Sequence, residues 1–435
     1  MSIKQLEKTL KLDIKAALGC TEPIAIALGA CKAKSLIPGD LRQIILKLST
    51  NLIKNALEVG IPNTGGQHGI ALAAALGALI KSKTADLTLL ENLDEQILAD
   101  AKAIVKKGIV SIEPATNRHG LYMDIIVTDD KNNTGRCIIS GTHENIILLE
   151  QNKTVVFASG SEEQTNSGDL LKERKALADS SFSEIWHNIE DLSADVRELM
   201  LKGIDINLKV AKAGLTHEGK LNIGNIYNKL IQDGWMGNDV TNRAKSLTSA
   251  AVDARMSGCN LPVMTSAGSG NQGLTISLPL HVLSEHIKCG EKKLSEALAI
   301  SHGITSILKH HSGTLSAMCG CVVCSGIGLT AGITYLLGGN IDDATAAINN
   351  MVGGITGIIC DGAKVGCAIK LTCAVDSAFQ AAMMAMNGLK LPVSNGVLGK
   401  TIEESLANIG LIAAPGMIQT DDQILSIMLG KPQAE

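Results

Sequence analysis

Residues 312–340 read SGTLSAMCGCVVCSGIGLTAGITYLLGGN, a run without a single charged side chain. The run is long enough to cross a bilayer. It also holds three cysteines, several glycines and polar Ser and Thr, and no basic cluster flanks it to set an orientation. It therefore reads as a helix buried on all sides within a large helical domain. Helical periodicity extends over most of the chain from about residue 183 onward. Expected helices are 184–201, 222–233, 239–256, 281–289, 294–310, 325–336, 342–352, 365–387 and 400–409, separated by glycine-rich joints. Upstream the pattern differs. Residues 1–37 read as helical, broken at Gly19 and Pro23, and QIILKLS at 43–49 reads as a strand. From about 110 to 159 the period becomes two, in short runs such as LYMDIIVTDD and TVVFAS with Asn, Asp and Gly turns between them. Residues 160–174, GSEEQTNSGDLLKER, read as a polar linker or surface loop. The expected fold is α+β and mostly α. Residues 1–175 carry N-terminal helices and a smaller α/β sheet module, and residues 176–435 form an Ala/Gly-rich helical domain.

Composition narrows the function classes. The chain has 435 residues, 45% hydrophobic and 19% charged, which is globular rather than disordered. Aromatics make up only 2% while Gly counts 44, so the core must be packed from small and aliphatic side chains. Few aromatics and a net charge of -4 argue against nucleic acid or an anionic membrane as partner. The first sixteen residues, MSIKQLEKTLKLDIKA, are amphipathic and lack the apolar core of a signal peptide. A cytoplasmic location is the expectation. There the eleven cysteines serve as core residues, metal ligands or reactive thiols rather than as a disulfide framework.

The cysteines gather in the C-terminal third. Cys319, Cys321 and Cys324 lie in AMCGCVVCSG, Cys360 and Cys367 lie in ICDGAKVGCAIK, and Cys373 follows. Two cysteine groups far apart in sequence, each beside glycine, suit a cluster held between helix ends. Glycine there lets backbone N–H groups approach sulfur. The spacing matches neither a zinc ribbon nor a ferredoxin run, and buried structural thiols are the alternative. Cys20, in LGCTEPIAIAL, sits at a helix start, where the dipole favours thiolate. A small buried residue beside a cap is the alternative there.

Residues 262–279 read PVMTSAGSGNQGLTISLP and contain a literal GxGxxG at Gly268, Gly270 and Gly273. A dinucleotide site needs a strand before the motif and a long helix after it. The surroundings read as helical, and Pro279 is expected to interrupt a following helix early. The loop reads better as a nest of backbone N–H groups with Thr265, Ser266, Ser269 and Asn271, suited to a substrate carboxylate. A second glycine loop, 61–69, carries His68, a candidate because loops carry function disproportionately. His310 and His311 read as helix-end residues. Lys364, between two cysteines, is the only hint of a Schiff base.

LGCTEP at 18–23, TSAGSGNQG at 265–273, MCGC at 318–321, ICDGAKVGC at 359–367 and NGVLGKT at 395–401 together resemble the L-cysteine desulfidase family. Some of its relatives are catalogued only as an uncharacterised protein family. The likeness runs over essentially the whole chain. A more distant similarity, mainly in the helical domain, is to the iron–sulfur L-serine dehydratases. The resemblance implies a [4Fe–4S] cluster on three cysteines: Cys360, Cys367 and one of Cys319 and Cys321. Cys319 is preferred because the related dehydratases keep a long gap between their first two ligands. The resemblance also implies Cys20 as the base near a small amino-acid substrate, and elimination of sulfide from L-cysteine. The alternatives are an L-serine dehydratase on the same scaffold and a non-catalytic iron–sulfur regulator. The Gly/Ala-rich helical domain adds a homo-oligomer to the expectations.

Overall fold

The uncharged stretch forms helix Val323–Leu336, and every residue of it except Tyr335 is buried. Its threonine side chains are satisfied within the helix. Thr330 Oγ1 donates to the Gly326 carbonyl at 2.8 Å and Thr334 Oγ1 to the Thr330 carbonyl at 2.9 Å. Small residues bring the neighbouring helix Glu291–Ser312 into backbone contact: a Cβ added at Gly328 would stand 2.4 Å from the Ser301 carbonyl oxygen. The computed structural model describes residues 2–82, 86–91, 93–115, 118–159 and 166–430. Among these, no helix is long and apolar enough to cross a membrane.

The architecture is α+β and mostly α, with seventeen α-helices among the described residues. The chain divides into two units. The helical unit comprises Met1–Ala16, Lys172–Cys360 and Val365–Met417. The sheet unit comprises Ala17–Leu171, Asp361–Lys364 and Ile418–Glu435. The division therefore crosses the chain several times, and helix Ser2–Asp13 counts with the helical unit.

Most expected helices of the helical unit form within a few residues of their expected bounds, among them Val240–Met256, Ile341–Ile355 and Cys367–Met386. Three expectations need correction. The helix expected at 184–201 is two, Phe182–His187 and Ala194–Ala213, with Ser193 at the N-cap of the second. The helix expected at 281–289 begins at Gly270 and runs to Ile287, straight through Pro279. Residues 270–280 are all buried, and that packing outweighs the one backbone bond Pro279 removes. The third correction concerns the polar stretch at 160–174. Its first six residues lie outside the described ones, but the rest enters helix Asn166–Ala178. Leu, Lys, Glu, Arg and Ala are strong helix formers, and they override the polar composition.

The sheet unit holds a six-stranded sheet in the order Val110–Pro114, Leu41–Leu48, Tyr122–Asp129, Thr134–Ser140, Ile146–Gln151, Thr154–Ala158. Only the first pair is parallel; the rest are antiparallel. Alternate residues Ile44, Leu46 and Leu48, and Met123, Ile125 and Val127, are buried, as the period of two predicts. Helix Thr21–Ser35 covers this face, with Gly29 against Ile125. In the same unit Lys54 of helix Thr50–Ala56 is fully buried and pairs with Asp421 of helix Ile418–Leu429 at 2.5 Å.

The helical unit has its own buried ion pair. Arg174 is 2% exposed and grips both carboxylate oxygens of Asp13, with Nε to Oδ2 at 3.1 Å. Ser306 also donates to Asp13. This pair fastens the first helix to the body of the unit. Removing one partner leaves an uncompensated buried charge, so Arg174→Met should cost about 3–5 kcal/mol. Chemical denaturation checks this, and a loss below about 1 kcal/mol, the range of exposed pairs, would contradict the assignment.

Candidate active site

Two backbone hydrogen bonds create the thiol cluster. Cys319 N donates to the Ile358 carbonyl at 2.9 Å, and Cys360 N donates to the Ala317 carbonyl at 2.7 Å. Met318 and Ile359 thus face each other in an antiparallel bridge. This zips MCGC to ICDG. The Cys319 thiol is hydrogen-bonded to both Cys321 and Cys360, and Cys367 is close enough to act on its charge. Cys321 and burial together push the Cys319 thiol well above its ordinary value, while Cys360 works against them. Cys367 is the first residue of helix Cys367–Met386, where the dipole favours negative charge. Of the remaining thiols, Cys324 faces Ser312 at 3.8 Å and Cys373 is exposed.

Among the described residues, no three of His, Cys, Asp and Glu close around one point as a single metal ion requires. A cubane makes a different demand, because each thiolate takes its own iron and the sulfurs need not converge. The donor set fits that demand: Cys319, Cys321, Cys360 and Cys367 are brought together, all soft ligands.

The glycine loop lies against these thiols, with Ser269 Oγ 3.8 Å from Cys321 Sγ. Strand Pro262–Met264 leads into it and helix Gly270–Ile287 leaves it. Ser266 and Ser269 exchange two backbone hydrogen bonds, of 3.1 and 3.0 Å. Ala267 and Gly268 between them have φ of 48° and 83°, the pattern of a type I′ turn. Ala267 is strained there, by about 1 kcal/mol or more. Gly273 closes the motif, since a Cβ on it would stand 1.9 Å from the Met264 carbonyl oxygen.

The polar side chains of the loop are differently engaged. Thr265 Oγ1 accepts from Lys15 N at 3.2 Å and donates to the Asp13 carbonyl at 3.3 Å, anchoring the loop. Asn271 Oδ1 accepts from Arg255 at 2.8 Å. Ser266 Oγ is 2.8 Å from His302 Nδ1. Of the four expected substrate contacts in this loop, Ser269 is the one whose hydroxyl faces the thiols.

Cys20 and His68 belong to the sheet unit. Cys20 is the N-cap of helix Thr21–Ser35, and its thiol donates to Glu22 Oε2 at 3.0 Å. His143 Nε2 stands 3.7 Å from the other oxygen, Oε1. Burial alone would raise the Glu22 carboxyl, but His143 and Cys20 hold it down to about 2. Cys20 thus has an ionised acceptor beside it. The His68 side chain is exposed, and its backbone pairs with Gly60. Lys364 pairs with Asp361 at 2.5 Å. His310 and His311 meet edge to face at 5.1 Å, and burial pushes both down.

Sequence reading missed four groups. Glu22 reads as an acidic residue favouring a helix start, and nothing in the sequence ties it to His143. His302 lies inside a helix pattern. Lys309 is 3% exposed, its Nζ donating to the Thr314 carbonyl at 2.8 Å. Burial pushes the Lys309 ammonium down, against the pull of Cys324, Cys321 and Cys360. The one local signal for Lys309 is Gly320: a Cβ there would stand 3.4 Å from both Lys309 Nζ and Gln272 Nε2.

His302 gives a pH test of this geometry. Burial pushes its imidazole down to about 4, and Asp13 offsets this only in part. The ring is neutral when folded and charges when unfolded, so stability is unaffected above about pH 6.5 and falls between about 6.5 and 4. At about 1.36 kcal/mol per pH unit, the loss nears about 3 kcal/mol at the acid end. Denaturation curves across this range should slope less for His302→Asn than for the native chain, and parallel slopes would refute the buried neutral ring.

Residues 84–426 match the family model described as the serine dehydratase alpha chain. Curated relatives span the whole chain. A UPF0597 protein of Alkaliphilus oremlandii is 37% identical over 430 residues, covering 98% of this chain and 99% of the relative. One of Desulforapulum autotrophicum is 39% identical over 437 residues, covering 98% and 97%. One of Clostridioides difficile is 36% identical over 420 residues, covering 96% and 98%. With a family match over well more than half its length and relatives of this identity end to end, the chain belongs to the serine dehydratase alpha chain family.

Proposed function

We propose that this chain is an iron–sulfur lyase that eliminates the β-substituent of a small amino acid, with L-cysteine the favoured substrate. The observation that carries the reading is the contact between Ser269 and Cys321. It sets a strained glycine turn directly beside hydrogen-bonded thiols. The nest of N–H groups at the turn and at the start of helix Gly270–Ile287 suits the substrate carboxylate. Cys360, Cys367 and Cys319 would hold the cluster, with Cys321 next to the substrate side. When bound, a cluster on three cysteines supplies an open iron that acts as a Lewis acid.

The likeness to cysteine desulfidases assigns the α-proton to Cys20, as general base once its own thiol proton has been given up along the bond to Glu22. Glu22 orients that sulfur through the 3.0 Å bond. Loss of the α-proton and of the β-sulfur gives hydrogen sulfide and aminoacrylate, which with water yields pyruvate and ammonia. A second reading, L-serine as substrate with water as the leaving group, draws its support from the family match.

Anaerobic reconstitution with iron and sulfide, followed by assays on L-cysteine and L-serine, separates the readings. Pyruvate and sulfide from cysteine is the expected result, and pyruvate only from serine favours the second. Cys20→Ala should keep the visible cluster band and lose turnover. Cys360→Ser should lose the band. Of Cys319→Ser and Cys321→Ser, only the former should lose it; the opposite result would make Cys321 the ligand. A native chain that takes up no iron would overturn both readings.

A further inference from the structure

We propose that Lys309 is the resident counter-charge of the thiol nest, a positioning residue that stabilises the anionic iron–sulfur group held there. The inference rests on the function proposed above and adds a residue that neither the family match nor the cysteine pattern assigns.

The buried cations differ in their partners. Lys54 and Arg174, both fully buried, each have a carboxylate, Asp421 and Asp13, and the buried Arg255 bonds the Asn271 amide oxygen. Lys309 is also buried, yet among the described residues no carboxylate pairs with it. Its one hydrogen bond goes to the Thr314 carbonyl, although an ammonium has three donors. A buried charge without an opposite charge is strongly disfavoured. The groups that could supply the opposite charge are Cys321, Cys324 and Cys360.

The packing supports this. Gly320 separates Cys319 from Cys321, and a Cβ on it would stand in contact with the ammonium at 3.4 Å. Gln272 closes the same wall from the substrate loop, and its buried Oε1 has no hydrogen-bond partner among the described residues. The nest therefore presents a cation and an amide to sulfur on one side. Thiolates and the cluster they carry are negative, and nearby positive charge and N–H donors raise a cluster's potential and resist its oxidative loss.

The test compares the native chain with Lys309→Met and Lys309→Gln. The glutamine keeps a donor for the Thr314 carbonyl and removes only the charge. Circular dichroism of the apo proteins reports folding. Bound iron and labile sulfide, the midpoint potential and the rate of bleaching in air are measured after anaerobic reconstitution. Both neutral variants should fold, hold a cluster at a more negative potential and bleach several-fold faster; a folded variant that takes up no iron supports the proposal equally. Native-like potential and bleaching in a neutral variant would overturn the proposal and leave the lyase reading intact. If neither variant folds without iron, the ammonium serves the apo fold and the proposal also falls. No iron on the native chain removes the lyase reading itself, and this inference with it.

Discussion

The site depends on two main-chain hydrogen bonds, Cys319 N to Ile358 O and Cys360 N to Ala317 O. They are ordinary bonds in length, but they join segments separated by two whole helices, Val323–Leu336 and Ile341–Ile355. Backbone groups there must be paired once buried, and pairing them with each other fixes where the thiols stand. Cys319 and Cys360 are then neighbours whether or not anything is bound. Two helices start directly beyond the bridge, one of them with Cys367 as its first residue. The geometry of the thiols is thus a property of the main chain rather than of flexible side chains, which is the kind of rigidity a site needs to hold a group in one orientation.

The small-residue composition makes this possible. Helix Val323–Leu336 approaches helix Glu291–Ser312 so closely at Gly328 that no side chain fits between them. The same approach brings Lys309, near the end of the second helix, up to Gly320. A core built on aromatics would hold those helices further apart. Tight packing without large side chains and the close approach of Lys309 to the thiol segment are therefore two results of one composition. The loop side follows the same logic, with Gly273 allowing the helix to sit against the Met264 carbonyl.

Much of this was legible in the sequence, for identifiable reasons. An uncharged run broken by cysteine, glycine and threonine, with no basic flank, read better as a buried helix than as a membrane span. Period-two runs with Asn and Gly turns could only be strands. The glycines at 268–273 marked a special backbone, and the structure gives the reason in the φ values of Ala267 and Gly268. Other features were out of reach. Pro279 carries a local signal that packing overrides. The Glu22–His143 pair joins residues far apart in the chain, and no spacing rule connects them. Lys309 was passed over because lysine is a surface residue in nearly every protein, and its burial is visible only once the helices are packed. Cys319 and Cys321 differ in what they touch, which a list of spacings cannot show.

The buried pair of Lys54 and Asp421 has a consequence for how the protein is made. Lys54 is made 367 positions ahead of its counterion. Until then the ammonium has to stay hydrated, so the core around helix Thr50–Ala56 cannot close. The helical unit is interleaved in the same way, because Asp13 waits for Arg174 and Ser306. Domains usually fold as units from the N-terminus during synthesis. Here neither unit is contiguous, so each can close only after segments far apart in the order of synthesis have both been made.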